Sequence, residues 1–114
     1  MKVGDTVYVY DPNRREYARD AQGRAIGGAL YRGHFVETVI TGETRVSWIV
    51  ERFKAKYKKK PAYPTAGCLT MDRVNDLVWK DSHRYKIARV VERLSDVAVL
   101  KQVAALIGYE EAAP

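Results

Sequence analysis

Pro61-Ala62-Tyr63-Pro64-Thr65-Ala66-Gly67-Cys68-Leu69-Thr70 divides the chain into two kinds of sequence. Two prolines and a glycine in its first seven positions remove backbone donors and cannot sustain a helix or a central strand, so residues 61–70 read as a connector. Before it, aromatic and β-branched residues cluster in short runs typical of strands; after it, apolar residues recur at helical spacing. The expectation is one α+β domain over residues 1–114, with a β-rich half at 1–60 and a helical half at 71–109.

Working outward toward the N-terminus, Arg52-Phe53-Lys54-Ala55-Lys56-Tyr57-Lys58 alternates strictly. As a strand it places Arg52, Lys54, Lys56 and Lys58 on one face and Phe53, Ala55 and Tyr57 on the other. Leu30–Ile40 and Arg45–Val50 are β-type runs separated at Thr41-Gly42, which predicts a hairpin. Thr6-Val7-Tyr8-Val9-Tyr10 is a first strand between Gly4-Asp5 and Asp11-Pro12-Asn13. Between these, residues 14–29 are polar, and Asp20-Ala21-Gln22-Gly23 has turn chemistry, predicting a basic hairpin or loop that carries Arg14, Arg15, Arg19 and Arg24.

Toward the C-terminus, Thr70 is the expected cap of a helix running to about Lys80. Asp81-Ser82 is read as the cap of a second helix, and Ser95-Asp96 as the cap of a third, with Val97, Leu100, Val103, Ala104 and Ile107 inward and Gly108 as its stop. Residues 110–114 are expected to fray. The fold class is thus a small antiparallel barrel or curved sheet followed by two to three short helices, with Tyr8, Tyr10, Tyr31, Phe35 and Trp48 filling its core.

The Gly4-Asp5 turn followed by Val7-Tyr8-Val9-Tyr10 and later hairpins resembles SH3-like barrels. Ile40-Thr41-Gly42-Glu43-Thr44-Arg45, Ser47-Trp48 and His83-Arg84-Tyr85-Lys86-Ile87 resemble a family of small uncharacterised proteins of tailed phages. That second resemblance covers most of the chain and implies a phage accessory protein acting in the host cytoplasm; it implies no particular activity.

Charge narrows the partner. The net charge is +6, and residues 1–60 hold 13 Lys and Arg against 7 Asp and Glu, while residues 61–114 hold 7 of each, so the whole excess lies in the β half. Six cations and no acid lie between Arg52 and Lys60. Lysines at alternate strand positions stand roughly 6.6 Å apart, near the repeat of an extended nucleic-acid backbone. Arg52, Lys54, Lys56, Lys58, Lys59 and Lys60, with Arg14 and Arg15 as a second edge, are therefore the candidate contacts to nucleic acid through phosphates, without sequence specificity. The competing explanation is that lysines guard an edge strand against adding to another sheet. The alternative function is a protein-binding module, such as an inhibitor of a host defence protein, whose basic face meets an acidic surface; an uncovered edge or the third helix would permit a homodimer.

Other chemistry finds little to build on. His34, His83 and Cys68 are too scattered for a zinc site, and Cys68 lacks a base and an orienting third group nearby in sequence. The expectation is no enzyme, no cofactor and no metal. A lone cysteine, an acid within the first five residues and no long apolar run predict a cytoplasmic protein that neither enters nor crosses a membrane.

Overall fold

Strand β1 (Thr6–Tyr10) pairs antiparallel with β4 (Phe35–Glu43), β4 with β5 (Ser47–Val50), and β5 with β6 (Lys56–Lys58), giving a curled four-stranded sheet in the order β1-β4-β5-β6. The computed structural model describes residues 1–109, so the expectation for residues 110–114 lies outside the described residues. Two further short strands, β2 (Ala18–Arg19) and β3 (Ala25–Ile26), form a separate hairpin, and the helices α1 (Met71–Glu92) and α2 (Val97–Leu106) follow. This is the expected α+β architecture.

The sheet packs an apolar cluster on each face, which is why β1 is apolar from Val7 to Tyr10. The register sets Val7 opposite Thr38, Val9 opposite Val36, and Tyr10 opposite Phe35, so aliphatic residues line one face and aromatics the other. On the aliphatic face, Val7, Ile40 and Val50 are almost wholly excluded from solvent, and Trp48, Ala55, Tyr57 and Cys68 close over them. On the aromatic face, Phe35, Leu69 and Val74 form a second cluster with Tyr8, Tyr10, Tyr31, Leu77 and Val78, so the first turns of α1 cover it. Tyr10, Tyr31 and Phe35 meet edge to face or tilted, with centroids 5.2–6.2 Å apart, the arrangement favoured by the ring quadrupole. The outer edge of β1 is closed at one point, where Tyr8 and Leu69 exchange both backbone hydrogen bonds at 2.8 Å.

The turns follow local chemistry. In the β2–β3 hairpin Asp20 Oδ1 accepts from the Gln22 and Arg24 amides, and Gly23 takes φ +78°, the positive value expected of a glycine in this turn. Its base packs on the short helical turn Tyr31–His34: a Cβ on Gly33 would lie 2.7 Å from Glu16 Cβ and 2.9 Å from its backbone nitrogen, so only glycine fits there. The Thr41-Gly42 break does not occur. β4 instead runs on to Glu43 through a bulge between Ile40 and Gly42, and the reversal falls at Thr44, whose Oγ1 accepts from the Ser47 amide at 3.0 Å.

The helices correct the sequence reading at two places, and one is the last helix, where Val97, Leu100 and Ile107, expected inward, are exposed and only Val103 and Ala104 are partly covered. Asp81-Ser82 does not start a new helix; α1 is continuous for 22 residues, since neither residue breaks a helix and each costs only about 0.7 kcal/mol or less relative to alanine. Its start is as expected, with Thr70 Oγ1 accepting from the Arg73 amide, and α2 is capped by Asp96, whose carboxylate accepts from the Ala98 and Val99 amides. Gly108, at φ +69°, ends it. The chain forms two compact units, Met1–Trp79 and a second from Lys80 onward, so their division falls inside α1 instead of in the connector.

Candidate functional site

The expected cationic strand from Arg52 to Lys58 is interrupted. Arg52–Lys54 form a helical turn, and only Lys56–Lys58 remain as β6. The cause lies in the backbone: Phe53 and Lys54 adopt φ +56° and +51°, left-handed values that cost an L-residue roughly 1–2 kcal/mol each. The turn is held against that cost from both sides. The Arg52 amide donates to Thr38 Oγ1 at 3.1 Å, the Glu51 amide to the Val39 carbonyl at 2.9 Å, and the Val50 amide to the Ala55 carbonyl at 3.0 Å. Alternation therefore fails for Arg52, Phe53 and Lys54, and Phe53 is a correction: it is 84% exposed, not part of the inner face, whereas Ala55 and Tyr57 do pack inward.

The six cations of the run divide into two groups. Arg52 makes an ion pair of 2.7 Å with Asp11 Oδ2, and its guanidinium lies over the Phe53 ring, 4.8 Å from the centroid. Lys59 Nζ is 2.7 Å from Glu43 Oε2 and stands over the Trp48 ring at 4.4 Å. Lys54, Lys56, Lys58 and Lys60 are exposed and form no ion pair among the described residues. On β6, Lys56 and Lys58 do share a face, opposite Ile49 and Ser47 of β5 and away from Tyr57.

Arg45, Val46, Ser47, Lys58, Lys59 and Lys60 line a cleft of about 550 Å³ at the far end of β6 from the Phe53 turn. Four of its six lining residues are cationic and none is acidic. The sequence reading missed Arg45, which joins the lysines only because β5 and β6 are antiparallel neighbours. Phe53 was also missed as an exposed group; an aromatic inside an alternating strand pattern carries no signal that the backbone will turn it outward.

Arg14 and Arg15 lie on the loop after Asp11, which the Asp11–Arg52 ion pair ties to the turn bearing Lys54. Arg14 is 3.9 Å from Glu16, its carbonyl accepts from His34 Nδ1 at 2.7 Å, and neither arginine lines the cleft. The Asn13 amide first, and then the Arg52 side chain, hold the Asp11 carboxyl below its ordinary value. A depressed carboxyl contributes stability above the ordinary carboxylate range that is lost as pH falls through its folded value. The urea midpoint of Asp11→Asn should accordingly lie below that of the parent at neutral pH, and the gap should close in acid. A gap that persists unchanged at low pH would remove the ionic contribution.

Burial pushes the Cys68 thiol up, which reduces its thiolate fraction at neutral pH. Among the described residues no three His, Cys, Asp or Glu side chains are placed to hold a metal ion, and no helix is long and apolar enough to cross a membrane. No protein-family model, curated protein or solved structure matches the chain.

Proposed function

We propose that the protein binds nucleic acid through the basic edge running from Lys54 along β6 to the Arg45–Lys60 cleft, gripping phosphates without reading bases in a groove. The observation that carries this reading is the set of exposed lysines without carboxylate partners among the described residues, Lys54, Lys56, Lys58 and Lys60, which runs from the turn along one edge strand and into a cleft with no acidic lining. Edge protection explains one or two lysines on an outer strand. It does not account for Arg45 and Lys60 extending the same charge beyond the strand's end. Phosphate contacts release condensed counterions, so binding should weaken steeply and log-linearly with salt. Anisotropy of labelled DNA and RNA across a salt series tests this, and binding that is weak at physiological salt would instead assign the edge to an acidic protein surface, including a host protein if the chain is phage-encoded.

A second reading, a protein-binding module, is supported by the helical unit considered alone. Ile87, Val90, Val97, Leu100, Leu106 and Ile107 are exposed, and an apolar groove of about 320 Å³ runs between Val91, Leu100, Val103 and Ile107. At roughly 100 Å² per apolar side chain, these six residues offer about 600 Å², the lower end of what each partner buries in a standard interface. The simplest occupant is the same helical unit of a second copy, which would bring four helices together. Sedimentation velocity should find a dimer that Leu106→Glu with Ile107→Glu converts to monomer; a parent that is monomeric at all concentrations would exclude it.

A further inference from the structure

The turn between β5 and β6 exposes an aromatic ring where folding alone gives no reason for one. Phe53 is 84% exposed, so its phenyl group contributes little to the core. It also occupies a left-handed position, φ +56° and ψ +13°, that glycine or asparagine would take with less strain. Strain retained at an exposed aromatic, and secured by the Thr38, Val39 and Ala55 hydrogen bonds, is a feature of ligand-holding turns. The ring is also oriented: Arg52 covers it at 4.8 Å and is itself fixed by Asp11 at 2.7 Å.

We infer that Phe53 is a stacking platform for an unpaired base, so that the partner of the basic edge is single-stranded nucleic acid. This rests on the nucleic-acid reading above and names its substrate class. One side of the ring is taken by the guanidinium, and the high exposure of the ring leaves stacking surface open to a ligand. A base stacked there would have its phosphates beside Lys54 and then Lys56 and Lys58, the combination of aromatic platform and cationic track by which single strands are held. A duplex keeps its bases stacked on one another and offers only phosphates, so it would engage the lysines and not the ring.

The test uses the full chain, with a labelled oligothymidylate and a blunt duplex of equal length as probes. Phe53→Gly should weaken single-strand binding roughly five- to a hundredfold, leave duplex binding and the salt slope unchanged, and melt no lower than the parent, since glycine relieves the left-handed backbone. Phe53→Trp should restore the single-strand affinity. Equal single-strand affinity of Phe53→Gly and parent overturns the platform while leaving the basic edge standing, and so does an equal loss on both probes. A parent that binds neither probe overturns both readings, and Phe53 then becomes a candidate anchor for a protein partner.

Discussion

Replacing Lys54, Lys56 and Lys58 together with glutamine is expected to lower the slope of log affinity against log salt by about two to three and to weaken binding at least tenfold near physiological ionic strength. Each of these ammonium groups is exposed and without an ion-pair partner among the described residues, so each is available to replace a counterion on a phosphate. Lys59→Gln is the internal contrast. Its ammonium is already engaged by Glu43 at 2.7 Å and by the Trp48 ring, so its removal should barely move the salt slope while loosening the β4–β5 end of the sheet. Glutamine keeps most of each side chain's length and polarity, and exposed substitutions of this kind usually change stability by no more than about 0.5 kcal/mol. Anisotropy over the salt series reads both outcomes, and a triple variant with the parent's slope would show that these lysines do not touch the nucleic acid.

The second large effect is on stability. Ile40→Ala should cost about 3 kcal/mol, because the cost of shortening a buried isoleucine combines lost burial with a cavity that the surroundings fill only in part. Ile40 is 1% exposed, between Val7 and Val50, and both of its backbone polar groups are bonded to the segment before β1: its amide donates to the Asp5 carbonyl at 3.0 Å and its carbonyl accepts from the Gly4 amide at 2.8 Å. With the bulge beginning at the same residue, the strand has little freedom to collapse inward. For a unit of this size the loss corresponds to a fall in Tm on the order of 10–20 °C. Val46→Ala, at a residue 65% exposed, should stay within about 0.5 kcal/mol of the parent. Thermal melts followed by circular dichroism compare the two; similar melting of both variants would contradict the assignment of the core to the inside of the curl.

Much of the candidate site is legible in the local sequence pattern. Lys56 and Lys58 share a face because a strand alternates, and Tyr57 points inward for the same reason. Alternation fails at Arg52–Lys54, where a left-handed turn replaces the strand, because the hydrogen bonds imposing it come from Thr38 and Val39, about a dozen residues away in sequence. The same distance hides ion pairing. Nothing local marks Arg52 as the partner of Asp11 or Lys59 as the partner of Glu43, yet those pairings separate engaged charges from available ones.

Composition, periodicity and turn chemistry are therefore enough for the α+β class, the apolar strands, the caps at Thr70 and Asp96, the stop at Gly108 and the concentration of positive charge in the first 60 residues. Each of these depends on interactions within a few positions along the chain. Tertiary structure decided the rest: that Asp81-Ser82 continues a helix, that Arg45 joins the lysines across a strand pair, that two of six cations are neutralised, and that Phe53 faces solvent. Those outcomes are set by which distant backbone groups and carboxylates the folded sheet brings within hydrogen-bond reach, a property of the register and curl of the strands that no local pattern contains.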